Sequence, residues 1–190
     1  MKVGLYFGSF NPVHTGHLII AAHVLDHCAL DALWFVVSPH NPLKESASLL
    51  KESHRLHLVR LAIEDEPRFR ASDVEFRLPR PSYTIDTMAH LEEKYPGHAF
   101  HLIMGSDSFS NIRKWKNYAI LLERYPVIIY TRPGFEPDLS LSNKLTVVKA
   151  PLLDISSTYI REQIRNKHSI RYLVPEVVRE DILANGYYTK

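Results

Sequence analysis

Two short strings hold most of the side chains that could do chemistry. The first is Gly8-Ser9-Phe10-Asn11-Pro12-Val13-His14-Thr15-Gly16-His17. His14 and His17 stand three apart, so at the start of a helix both rings can point the same way. A helix N-terminus offers free N–H groups and a partial positive charge, which together attract phosphate. Two imidazoles there donate hydrogen bonds to phosphate oxygens without carrying full charge at rest. Gly8 permits close approach of backbone to a ligand, and Gly16 removes bulk near the helix start. Residue by residue, a strand–helix turn with capping histidines explains the string equally well. Zinc is the weaker reading, because His-x-x-His lacks the Glu and the third ligand of a zinc hydrolase and a helix N-terminus repels cations.

The second string is Ile155-Ser156-Ser157-Thr158-Tyr159-Ile160-Arg161. Hydroxyls at a helix start cap it and can equally bind phosphate. Arg161 follows Thr158 by one turn on the same face, and its planar fork suits phosphate oxygens. Alone, a capped helix with an arginine on its first turn also accounts for these residues.

Both strings need elements to hold them. Val3–Phe7, Leu33–Val37, Phe100–Met104 and Val127–Thr131 are apolar runs that read as buried strands, and Leu145–Lys149 is a candidate last strand. Phe69–Phe76 carries extended, alternating residues. Helical spacing falls on Gly16–Cys28, Ser53–Asp65, Thr84–Tyr95, Tyr118–Arg124, Ser157–Asn166 and Pro175–Asn185. The first of these is apolar nearly all round, which suggests burial between layers. Pro96-Gly97 stops the third, and Gly186 suits a stop for the last. Continuous apolar strands separated by helices imply an α/β, Rossmann-like parallel sheet with helices on both faces and right-handed crossovers. Ligands in such sheets bind beyond the carboxyl ends of the strands. The loops starting at Gly8, Ser38, Gly105 and Arg132 all leave strand ends.

With 190 residues the chain is expected to form a single domain, residues 1–190, with a helical part from about 155 to 190. The hydrophobic fraction is 45% and the charged fraction 23%, which excludes wholesale disorder. A net charge of +2 is too small to argue for nucleic acid or an anionic membrane as partner. Cys28 is the single cysteine, so neither an intrachain disulfide nor a cysteine-rich zinc module can form. The apolar start is too short for a signal peptide, and no run reaches the ~20 residues of a membrane span. A soluble cytoplasmic protein is expected. A homo-oligomer is compatible with the sequence, which marks no surface for it.

Taken whole, the first string is similar to the signature Gly-x-Phe-x-Pro-x-His-x-Gly-His of the α/β nucleotidylyltransferase superfamily. The second resembles that superfamily's Ile-Ser-Ser-Thr-x-Ile-Arg, and it follows in the expected order about 140 residues on. The resemblance implies that His14 and His17 hold the phosphates of ATP and are catalytic. It implies that Ser156, Thr158 and Arg161 grip the β- and γ-phosphates. Gly8, Ser9, Phe10, Gly105, Asp107 and Ile155 complete the implied ATP site, with Asp107 on a ribose. Mg²⁺ would arrive with ATP and bridge its phosphates, largely through water, so no dedicated carboxylate cage is expected.

The middle of the chain selects the phosphate that is adenylylated. Pro81-Ser82-Tyr83-Thr84 opens a helix, Gly105-Ser106-Asp107 leaves a strand, and Trp115 lies in Arg113-Lys114-Trp115-Lys116-Asn117-Tyr118. With Arg132-Pro133-Gly134, Lys44 and the C-terminal residues, these resemble bacterial nicotinate-nucleotide adenylyltransferases over nearly the whole chain. The implied acceptor is nicotinate mononucleotide, bound by Lys44, Ser82, Tyr83, Thr84, Trp115 and Arg132. Trp115 would stack on its pyridine ring, and N–H groups at the Ser82–Thr84 helix start would receive its carboxylate. A carboxylate gains more there than a neutral amide does. Two features depart from the family pattern: Trp115-Lys116 stands where Trp-Tyr is usual, and Pro42-Leu43-Lys44 replaces consecutive prolines before the lysine. Rival readings are a phosphopantetheine adenylyltransferase, which shares both strings but is usually shorter, a non-catalytic ATP sensor, and a metal hydrolase.

Overall fold

Six strands pair edge to edge in parallel: β1 (Lys2–Gly8), β2 (Ala32–Val37), β3 (Phe69–Ser72), β4 (Ala99–Gly105), β5 (Val127–Tyr130) and β6 (Leu145–Val148). Their order in the sheet is β3-β2-β1-β4-β5-β6. The computed structural model describes residues 1–39 and 49–189, and Pro42, Leu43 and Lys44 lie outside the described residues.

The apolar sequences of the central strands dictate burial on both faces. In β1, Tyr6 faces a core shared with α1 (Thr15–His27), α2 (Glu52–Ala62), α6 (Ser157–Arg165) and α7 (Glu176–Asn185). Val3 and Leu5 face a second core with α3 (Thr84–Lys94) and α5 (Tyr118–Arg124). All six residues of β2 are buried, so a run without polar alternation is what its two-sided covering requires. Gly4 leaves room for its neighbours, since a Cβ there would stand 2.6 Å from Ile103 Cδ1 and 2.7 Å from Leu30 Cδ1. The α/β class and the parallel sheet covered on both faces agree with the reading from sequence.

Local departures have physical causes. The extended run over Phe69–Phe76 is a strand only to Ser72, and Val74–Arg77 is a 3-10 turn. There Phe76 N–H donates to Asp73 O at 2.9 Å, and Val74 and Glu75 turn inward. Helix α1 is buried along one side only, through Gly16, Ile20, Ala21, Val24 and Leu25, and its other side is partly or fully exposed. Pro175 is the N-cap of α7 rather than a first-turn residue, while Gly186 ends the helix in the left-handed region as its place predicts. A one-turn helix, α4 (Ser106–Phe109), follows β4 directly and had no periodic signal in the sequence.

β1 and β4 are parallel neighbours whose connections run toward opposite edges of the sheet, to β2 and β5. The crevice beyond their carboxyl ends is where such a topology leaves a ligand site. The loop from Gly8 and the turn from Gly105 both open there. Among the described residues no helix is long and apolar enough to cross a membrane.

Candidate active site

Two basins meet in that crevice. One, about 330 Å³, is lined by Phe10, Asn11, His14, His17, Asp107, Arg132, Ile155, Ser156, Thr158 and Arg161 among others. The other, about 240 Å³, is lined by Ser38, Glu75, Ser82, Tyr83, Thr84, Gly105, Trp115 and Lys116 among others. Tyr6, Phe7, Gly8, Ser9, Ser108 and Tyr130 belong to both and form the ground between them.

The histidine basin is built by joining the ends of the chain. Arg161 donates to the carbonyl of Asn11 at 2.8 Å, and Ser157 Oγ donates to Pro12 O at 2.9 Å. The second string is thereby fastened to the first. Thr15 N–H donates to Leu173 O at 2.9 Å, adding a third tie from the C-terminal part. Ser156 caps α6, its hydroxyl accepting from Tyr159 N–H at 3.1 Å. The N-termini of α1 and α6 therefore both open into one basin, and Arg132 and Arg161 add positive charge.

The histidines are set by their backbone. Their rings stack with centroids 3.7 Å apart. His14 N–H donates to His17 Nδ1 at 3.2 Å, so in neutral His17 the proton sits on Nε2. His14 is buried; burial first, and the charge of Arg132 second, pull its pKa down to about 4. It is neutral near pH 7. Phe10, at φ 45, turns the chain in the left-handed region and packs edge-on against the His17 ring at 5.1 Å. Its ring also explains Gly8: a Cβ there would lie 2.8 Å from Phe10 Cζ.

Beneath this loop sits Arg55, a buried cation from α2. It donates to the carbonyls of Leu50 at 2.7 Å, Ser38 at 2.8 Å and Pro39 at 2.9 Å, and to that of Ser9. One guanidinium thus ties the ends of β1 and β2 together. In sequence it is one arginine among several on a helix, and only its lack of exposure distinguishes it.

The second basin draws on different elements. α3 starts at its N-cap Tyr83, and the N–H groups of Thr84 and Ile85 have no acceptor among the described residues. Glu75, turned inward by the 3-10 turn, accepts from Thr87 Oγ1 at 2.9 Å and Ser82 Oγ at 3.2 Å. Burial pushes the Glu75 carboxyl up, and hydrogen bonds from Ser38, Thr87 and Ser82 offset part of that rise. Trp115 follows a short 3-10 turn (Ile112–Lys114) and is half-buried at the wall. At Gly105 a Cβ would run into Asp107 Oδ1 and come within 3.1 Å of the Tyr130 ring, so glycine lets both side chains close over the turn into α4.

The described residues singled out from sequence, which exclude Lys44, line these two basins, with two qualifications. Arg132, grouped with the acceptor residues, lies instead along the histidine basin, 3.5 Å from Asp107 Oδ1, because its N–H is held by Ser106 Oγ at 2.8 Å. Gly105, grouped with the ATP residues, lines the Trp115 basin. Glu75, Arg55, Tyr6 and Tyr130 were not foreseen, and Ser38 was marked only as the start of a loop. Among the described residues no group of three His, Cys, Asp or Glu side chains is placed to hold a metal ion.

Comparison with known proteins bears on this crevice. Residues 5–163 match the cytidylyltransferase-like family model. The chain is 48% identical to the probable nicotinate-nucleotide adenylyltransferase of Flavobacterium psychrophilum, over the full length of both. It is 44% identical to that of Bacteroides fragilis, covering 96% of this chain and 91% of the relative. In fold it is similar to the Plasmodium falciparum nicotinic acid mononucleotide adenylyltransferase complexed with NaAD. There the TM-score is 0.82 at 20% identity, over 98% of this chain and 97% of that one.

Proposed function

The chain belongs to the cytidylyltransferase-like family, and we propose that it joins ATP and nicotinate mononucleotide to give nicotinate adenine dinucleotide and pyrophosphate, a step of NAD biosynthesis. It is a nucleotidyltransferase, as its full-length relatives are named. The observation that carries the reading is the junction of the basins. A basin holding both phosphate-binding strings opens, across Gly8 and Ser9, into one bounded by Trp115 and the start of α3.

ATP occupies the histidine basin and the acceptor mononucleotide occupies the other. An oxygen of the acceptor phosphate attacks the α-phosphorus in line. The bond from that phosphorus to the β-phosphate bridging oxygen breaks, and pyrophosphate leaves. No covalent enzyme intermediate is needed, so catalysis is positioning plus charge stabilisation. His14 and His17 stabilise the α-phosphate as negative charge builds on it. Ser156, Thr158 and Arg161, with the N-terminus of α6, hold the leaving pyrophosphate. Arg132 reaches the phosphates from the opposite side, and Asp107 takes a ribose hydroxyl. Mg²⁺ enters as part of the ATP complex, which suits a basin whose own donors are cations, hydroxyls and amides. Trp115 stacks on the pyridine ring, Ser82 and Tyr83 shape its pocket, and the N–H groups of Thr84 and Ile85 receive the ring carboxylate. Such a reaction belongs in the cytoplasm, where ATP is made available.

The test is pyrophosphate release with ATP and Mg²⁺ and, in parallel, nicotinate mononucleotide, nicotinamide mononucleotide or phosphopantetheine. Strong release with nicotinate mononucleotide is expected. Release only with phosphopantetheine would overturn the acceptor, and ATP binding without release from any acceptor would overturn the reaction.

A further inference from the structure

The departure at Lys116 falls at the point where an acceptor carboxylate would bind. Lys116 Nζ lies 2.8 Å from Asp86 Oδ2 and 4.6 Å from the centroid of the Tyr83 ring. Lys116 lines the second basin together with Tyr83, Thr84 and Trp115. Asp86 is the acid in the first turn of α3. An acid there stabilises the helix, because it faces the positive end of the dipole. The same charge opposes any second anion brought to the free N–H groups of Thr84 and Ile85. Lys116 answers it: the ammonium pairs with Asp86 in the first turn of α3 and lies over the face of the Tyr83 ring, the N-cap residue of that helix. The pair is half in water, with side-chain exposures of 42% and 53%, so the ammonium can shift toward a new anion without breaking a buried bond.

We infer that the Lys116–Asp86 pair sets the charge preference of the acceptor pocket, Lys116 being the residue that lets a ring bearing a carboxylate be chosen over the same ring bearing a carboxamide. This rests on the functional reading above and deepens it. The local charge near the free N–H groups is then a dial. It is close to zero with both residues present, negative with Asp86 alone and positive with Lys116 alone. Two unit charges separated by several ångström in a half-exposed site interact strongly enough to shift binding by ~5- to 10-fold per charge.

The experiment is the ratio of kcat/KM for nicotinate mononucleotide to that for nicotinamide mononucleotide in four proteins: wild type, Lys116→Met, Asp86→Asn and the double variant. The expected ratios fall ~5- to 10-fold in Lys116→Met, rise in Asp86→Asn and return near wild type in the double variant. KM for ATP should stay constant throughout, and Lys116→Arg should keep the wild-type ratio. Added salt should shrink the differences, as a screened charge effect requires. A ratio that does not follow charge across the four proteins overturns the inference. If Lys116→Met lowers activity with both acceptors equally, Lys116 is only structural and the inference fails. A wild-type protein inactive with nicotinate mononucleotide would instead defeat the functional reading itself, so the two failures are told apart.

Discussion

The two basins are made in different ways. The histidine basin is framed by residues far apart in sequence but joined by direct bonds: Arg161 to Asn11, Ser157 to Pro12, Thr15 to Leu173, with Arg55 bracing the loop from below. Its ligand-facing groups are helix N-termini and rings fixed by backbone geometry. The Trp115 basin is assembled from short pieces: a 3-10 turn carrying Glu75, another leading to Trp115, and the first turn of α3. Its polar groups are tied through side chains, Ser82 and Thr87 to Glu75 and Lys116 to Asp86. The first basin suits a task in which charge develops at one fixed place. The second suits recognition, where one exchanged side chain alters what fits. Substitutions should therefore separate, turnover failing on one side and acceptor choice on the other.

The largest effect belongs to His17. Its Nε2–H is the donor set by the His14 amide. His17→Ala should lower kcat by ~100- to 1,000-fold, as for loss of one donor that acts in the transition state, with the acceptor KM little changed. Single-turnover and steady-state rates would check this, and near-wild-type turnover would break the contrast between the basins at once.

Trp115→Ala is the counterpart on the other side. Loss of stacking on a heteroaromatic ring should raise the acceptor KM ~10- to 30-fold while kcat and the ATP KM stay close to wild type. Steady-state kinetics with each substrate varied in turn would decide it. An equal loss in kcat would mean that the Trp115 wall also orients the attacking phosphate.

The contrast explains what could be read before the structure. The phosphate strings are contiguous because one turn at a strand end must supply glycine, histidine and a helix start together, and such a demand writes itself into ten consecutive residues. The sheet was equally legible, since two-sided burial leaves unbroken apolar runs such as Leu33–Val37. Glu75 and Arg55 were not, because each acts through burial rather than type. Arg55 stands one turn before Val59 on an otherwise ordinary helix, and Glu75 falls in a segment whose alternation suggested a continuing strand. Arg132, read from sequence as an acceptor residue, lines the histidine basin, because position after a strand fixes which end of the sheet a residue reaches, not which side of the crevice. That side is decided by the Ser106 hydrogen bond to its backbone.

Glu75→Gln sharpens the comparison more gently. An amide presents one oxygen where the carboxylate presents two, so either Ser82 or Thr87 loses its acceptor. The start of α3 should loosen, raising the acceptor KM ~3- to 5-fold and costing about 1–2 kcal/mol in unfolding free energy. The ATP KM should not move, since Glu75 lines the Trp115 basin and its hydroxyl partners Ser82 and Thr87 belong to the start of α3. Denaturant titration alongside kinetics separates the two effects, and an ATP KM that rises with the acceptor KM would show the basins to be coupled through the shared floor at Tyr6 and Tyr130.

The smallest effect on substrate handling concerns protons, and it distinguishes the basins by pH. In the unliganded protein His14 has its pKa lowered to about 4, by burial and by Arg132, against an ordinary 6.5. The unfolded chain takes up a proton below pH 6.5 that the folded protein refuses until about pH 4. The stability contribution is thus full above 6.5 and is lost as pH falls to 4, up to about 3 kcal/mol. A polyphosphate facing His14 reverses part of that penalty, because its charge outweighs Arg132 nearby. ATP binding should therefore draw a proton into the protein. If the bound pKa returns to its ordinary value, ATP affinity gains ~3- to 4-fold between pH 7.5 and pH 6 beyond what ATP's own titration gives. Calorimetry in two buffers of different ionisation heat would measure the proton taken up. His14→Gln should abolish that uptake while acceptor binding keeps its own pH dependence. Uptake that survives the substitution would assign the proton elsewhere in the histidine basin and leave His14 neutral through the whole cycle.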